Sequence, residues 1–240
     1  MRRSWTLLDF ILIWLAGAGM SLWAAAVANS LDLALDVSVL LTLAGQFLGS
    51  LIVFAVIYLR RRQEDPLRFG LTPGDIKYAL LGIGLQIVAN ILMRPIAELV
   101  YPDDAGPPQE IADIIGNADF GDTTRVALFV SAALLAPFVE ELLYRGVLFK
   151  AMRPRGPWVA ILTTAFVFAG VHVTGLDPEN MAGSAAIALP PLFALAILLG
   201  WVTERTGRLG PAFFIHSGWN FIAGIILLIP PELIEDLAGG

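Results

Sequence analysis

The stretch APFVEELLYRGVLF, residues 136–149, decides how this chain is read. Its apolar residues suit a helix inside a lipid bilayer, yet Glu140, Glu141 and Arg145 sit in the middle of it. Charge at membrane depth is costly and usually functional. The first question is whether the flanks are membrane as well.

Composition answers it. Hydrophobic residues make up 57% of the 240 and charged residues only 15%, with a mean hydropathy of +0.76. A multi-span helical membrane protein has that balance and a soluble domain does not. Apolar segments, each near the roughly 20 residues that a bilayer core demands, lie at 7–28, 38–59, 76–99, 124–149, 158–175, 185–203 and 210–229. The expected fold is an all-α polytopic transmembrane helical bundle of about seven spans, or eight if Pro137 splits the fourth into two helices. The whole of 1–240 reads as a single integral membrane domain.

Charge sorts the connections. Arg2 and Arg3, Arg60 to Arg62, Arg68 and Lys77, Lys150, Arg153 and Arg155, and Arg205 and Arg208 fall on one side. Asp32 and Asp36, the acidic 102–122 loop, Asp177, Glu179 and the PPELIEDLAGG tail fall on the other. The positive-inside rule then puts the N-terminus in the cytoplasm and the C-terminus outside, with the plasma (inner) membrane the expected location. Read differently, MRRSW and AVANS could bound a secretory signal, but the apolar run between them is long for one. PPQEIADIIGNAD, before the fourth span, has the spacing of a short interfacial helix. Cysteine is absent, which removes disulfides and thiolate chemistry. The net charge of −6 leaves no basic face for nucleic acid.

The polar residues inside the spans carry the functional signal. His172 and His216 are the two histidines of the chain, and both fall within expected spans. Residues four apart share a helix face, which pairs Phe168 with His172, His216 with Asn220, and Glu141 with Arg145. Glu140 points about 100° away from Glu141, so one glutamate can be neutralised locally while the other meets a different partner. Counted at about 1.5 Å per residue from Lys150, Trp158 and Pro211, Glu140, His172 and His216 lie about 15, 21 and 8 Å deep. A shared site therefore needs tilted or staggered helices.

Two carboxylates, two imidazoles and a carboxamide suit hydrolysis. A glutamate in low dielectric can take a proton from water, and asparagine can donate to an oxyanion. The same residues could ligate a divalent metal through both histidines and one or two glutamates. They could instead relay protons in an ion-coupled carrier, or simply bond helix to helix. A carrier would show inverted repeats, and no internal repeat is evident.

With EELLYR at 140–145, FAGVH at 168–172 and HSGWN at 216–220, the chain resembles the CPBP family of CAAX prenyl endopeptidases and bacteriocin-processing enzymes, also called the Abi family. Its motifs EExxxR, FxxxH and HxxxN/D occur here in order. AP precedes the glutamates, RG follows the arginine, and ERTGRLGPAFFIH leads into the last motif. RFGLT, after the second span, is a further point of likeness. The resemblance covers about 124–222, which would be the catalytic core. It implies an intramembrane endopeptidase with a cavity open to the cytoplasm. Glu140 with His172 would activate water, His216 and Asn220 would hold the oxyanion, and Glu141 and Arg145 would be the supporting pair. Phe168, Tyr144 and Trp219 would line the cavity, Tyr144 standing where Phe is often found. The substrate would be a protein or peptide, prenylated or bacteriocin-like. A non-catalytic immunity-type membrane protein is the third alternative.

No metal is favoured. The compact H-E-x-x-H turn that sets two imidazoles on one helix face is absent, and Asn220 is a poor zinc ligand. Zinc, if bound, would fall to Glu140, His172 and His216. Outside the motifs, Gln86, Asn90, Arg94 and Glu98 form a ladder of four-residue steps in the third span, expected to be a structural network or to snorkel outward. Trp5, Trp158 and Trp201 suit an interfacial belt.

Overall fold

The computed structural model describes residues 5–61, 70–101 and 122–228. It is an all-helical bundle. Helices α1 (Leu7–Ser30) and α2 (Leu35–Arg61) form a hairpin, and α3 (Tyr78–Val100) follows a 3₁₀ turn at Pro73–Lys77. Helix α4 occupies 122–152, followed by α5 (Pro157–Val171), α6 (Met181–Thr206) and α7 (Gly210–Leu228). The interfacial helix expected before the fourth span, and the acidic tail, lie outside the described residues.

Among the described residues, six helices are long and apolar enough to cross a membrane. That is fewer than the seven to eight expected, and the difference is α7. The fourth span is one helix rather than two. Pro137 does not break it, because the backbone widens into π turns at Ser131–Leu135 and again at Leu142–Leu148. A wider turn moves the preceding carbonyls off the proline ring, which would collide with them in a regular helix.

Contacts between the helix ends agree with the charge sorting. Arg208 grips Asp75 through two nitrogens at 2.7 and 3.0 Å and reaches the Gly70 carbonyl, and Arg153 takes Glu204 in the same bidentate manner. At the opposite ends, Tyr101 donates to Asp177 and Thr124 to Asp36. Basic ends meet basic ends, acidic ends meet acidic ends.

Among the described residues, two of the three buried apolar clusters border the motif helices most closely. One gathers Trp5, Phe10 and Ile13 around Tyr144, Val147, Leu148, Phe168 and Ala196, with Phe54 and Tyr58 of α2 against it. Trp5 is therefore no interfacial anchor: it is 1% exposed and stacked on Phe54, whereas Trp158 and Trp201 are exposed as expected. The cause is local. Thr6 and Asp9 cap α1 reciprocally, and the residue before such a cap packs on the fourth helical residue, here Phe10. The other core joins Leu195, Leu199 and Val202 of α6 to Ala212, Ile215 and Trp219 of α7. There α3 approaches so closely that a Cβ at Gly82 would strike the Ile215 carbonyl, and one at Gly218 the Ala79 carbonyl. Small residues at such crossings are how membrane helices gain packing energy.

Candidate active site

Helix α4 supplies the two glutamates from the short regular segment Ala136–Glu141, between its two π turns. Such π turns occur often at functional sites. Glu141 and Arg145 are both fully buried, and Arg145 Nη1 donates to Glu141 Oε1 at 2.8 Å. The second guanidinium arm donates to the Ala196 carbonyl of α6 at 3.1 Å. Beneath it lies the ring of Phe168, 5.0 Å from the guanidinium carbon, within cation–π range. One buried charge is thus met by a carboxylate, a carbonyl and an aromatic face.

His216 joins this network from α7. Its Nδ1 lies 3.0 Å from Glu141 Oε1, the oxygen that also accepts from Arg145. Its other nitrogen, Nε2, lies 3.6 Å from Glu140 Oε2. The imidazole is therefore clamped between the two glutamates. Glu140 differs from its neighbour in exposure, 27% of its side chain against none. Its Oε2 is buried and takes no hydrogen bond from the described residues.

His172 stands just past the end of α5, opening the 3₁₀ turn His172–Gly175 rather than ending a span. Its Nδ1 hydrogen goes to the Phe168 carbonyl at 2.7 Å, which leaves Nε2 as the outward nitrogen. Phe168 itself is buried, with ring centroids 4.8 Å from His172 and 5.5 Å from His216. The two histidines, which looked scattered in depth, flank one phenylalanine.

The remaining expected residues sit as follows. Tyr144 is buried edge-on to Phe168, 5.2 Å between centroids. Trp219 lies in the core between α3, α6 and α7. Asn220 Nδ2 donates to the Ala132 carbonyl of α4 at 2.9 Å. Among the described residues, no group of three or more His, Asp or Glu is placed to hold a metal ion. Glu141 Oε1 and His172 Nδ1 are already spent on other partners. Two participants escaped sequence reasoning, the carbonyls of Ala132 and Ala196. Backbone acceptors have no signature in residue type, although Pro137 hints that one nearby has lost its donor.

Residues 122–222 match the family model Type II CAAX prenyl endopeptidase Rce1-like. Over this segment the chain is similar to the CAAX prenyl endopeptidases. It carries Glu140, Glu141, Arg145, Phe168, His172, His216 and Asn220, while α1, α2 and α3 lie outside the match. No curated protein and no solved structure matches the chain. That likeness supports, in general terms, a CAAX protease-like endopeptidase that is an integral membrane protein and acts on a protein or peptide. Its reacting groups belong to the reading that follows.

Proposed function

We propose that the chain hydrolyses peptide bonds within the membrane by a glutamate-activated water, with Glu140, His172 and His216 as the reacting groups. The observation that carries this reading is the clamped imidazole, with Glu141 on one nitrogen at 3.0 Å and Glu140 beside the other at 3.6 Å. Glu140 is the more accessible carboxylate and holds an uncommitted buried oxygen. It takes a proton from water as the water oxygen attacks the peptide carbonyl carbon. His172, whose Nε2 is outward, steadies the attacking water.

His216 receives a role different from the oxyanion donor expected of it. With its Nδ1 hydrogen given to Glu141, a neutral ring turns an acceptor, Nε2, toward Glu140. It can therefore take the proton from Glu140 and deliver it to the leaving amine as the C–N bond breaks. The products are a carboxylate and an amine, and Glu140 and His216 end as they began. Glu141 and Arg145 hold the ring in that orientation.

No metal is given a role in this mechanism, and among the described residues no group of three or more His, Asp or Glu is placed to hold one. The catalytic core is 124–222 within a single membrane domain spanning 1–240. On the positive-inside rule our reading puts the N-terminus and the site's open side in the cytoplasm, with the chain in the plasma (inner) membrane. Purified protein in detergent, given a panel of peptides with and without a prenyl group, should cleave at least one of them. Cleavage should persist after exhaustive chelation. Zinc present at one ion per chain, with activity lost on its removal and regained on its return, would replace the glutamate–water mechanism. No cleavage, together with proton-driven uptake in proteoliposomes, would make the chain a carrier.

A further inference from the structure

Asn220 gives one of its two amide hydrogens to a backbone carbonyl of another helix. Its partner, the Ala132 carbonyl, lies in the first π turn of α4. In that turn the Ala136 N–H reaches back five residues to the Ser131 carbonyl. Ala136 is thereby lost to Ala132, which would have been its partner in a regular helix. In the five-residue register, the next donor for Ala132 would be residue 137. That residue is proline, which has no N–H. The Ala132 carbonyl is left without a backbone donor by both registers, and lipid offers none to replace it.

We propose that Asn220 is a positioning residue: its side-chain amide replaces the N–H that Pro137 lacks, and so fixes α7 on α4. The consequence reaches the reacting groups because both helices carry them. Asn220 lies one turn from His216 on α7, and Ala132 lies two turns before Glu140 on α4. Flanking contacts run in the same antiparallel sense, with Phe221 against Phe129 and Phe213 against Phe138. Those aromatic contacts tolerate sliding, since ring stacking is broad in geometry. A directed hydrogen bond at 2.9 Å does not. The bond sets the register that brings His216 Nε2 beside Glu140.

The test is a double-mutant cycle over Asn220 and Pro137, read in both turnover and melting temperature. Its turnover arm rests on the hydrolytic reading above; its melting arm does not. Asn220→Ala and the isosteric Asn220→Asp, which has no donor, should each lower kcat by about ten- to a hundredfold. KM should change little, and both variants should melt earlier. Pro137→Ala restores a backbone N–H next to the orphaned carbonyl. In that background Asn220→Ala should cost at least about tenfold less turnover than in the parent, a coupling of the kind such cycles isolate. Its melting penalty should shrink likewise. If Pro137→Ala alone abolishes turnover, the melting arm decides. Equal losses from Asn220→Ala in both backgrounds, by both readouts, would overturn the proposal and return Asn220 to a direct role at the oxyanion. A parent without peptidase activity would sink the hydrolytic reading while leaving the melting cycle valid.

Discussion

Two glutamate–arginine ion pairs of the same spacing could hardly be placed more differently. Glu141 and Arg145 on α4 meet at 2.8 Å with neither side chain exposed. Arg94 and Glu98 on α3 meet at 2.7 Å with 79% and 54% of their side chains exposed. Spacing and bond length are alike; surroundings are not. The buried pair is anchored on three further sides, by the Ala196 carbonyl, the Phe168 ring and His216. The exposed pair continues a ladder in which Gln86 donates to Asn90, on the helix of the bundle that is least enclosed by protein. A four-residue charge pair in a membrane helix therefore says little about function until the third partner is known. On α4 that third partner is an imidazole.

The comparison can be broken by removing one charge from each pair. Arg145→Gln should destabilise the protein by about 3–5 kcal/mol, because it strands a buried carboxylate. Arg94→Gln should cost less than about 1 kcal/mol, as exposed pairs do. Chemical denaturation in detergent checks both, and equal penalties would mean that burial does not separate the pairs. Phe168→Leu sharpens the point. It should cost about 1–3 kcal/mol for lost packing and lower peptidase turnover as well, since the ring touches both histidines and the guanidinium. Stability lost with turnover intact would reduce Phe168 to a core residue.

Much of this was legible in the sequence, for physical reasons. Membrane length and apolarity leave a strong signal, so most helices fall close to the expected boundaries. The i, i+4 rule paired Glu141 with Arg145 and Gln86 with Asn90 without any structure. It did not reveal that His216 would bridge both glutamates, because that depends on how α7 crosses α4. Nor did it foresee the π turns, which arise where Pro137 conflicts with the regular register. Trp5 misled for a related reason. Its rank as an interfacial residue type was outweighed by the cap at Thr6 and Asp9, which turns it inward.

The smallest expected effect is a pH effect at the acidic helix ends. The backbone N–H of Glu179, and then the Tyr101 hydroxyl, hold the Asp177 carboxyl below the usual carboxylate range. A carboxyl lowered on folding stabilises the protein above its unfolded value, near 3.9, and that contribution fades as pH falls below it. Asp177→Asn should therefore melt slightly earlier than the parent near neutrality, with the difference shrinking between about pH 5 and pH 3. A difference from the parent that grows as pH falls would contradict the assignment. It concerns only the joint between α3 and the segment before α6, far from the glutamates in the chain.

The division of labour between adjacent glutamates is the centre of the account, and Glu140→Gln tests it most directly. The substitution keeps shape and removes the capacity to take a proton. Measured beside the parent in one detergent preparation, it should lower peptide turnover by about 10²–10⁴-fold. Its melting temperature should stay within about 2 °C of the parent, because no ion pair is broken. Turnover retained in Glu140→Gln, in protein that melts like the parent, would contradict the claim that this carboxylate activates the water.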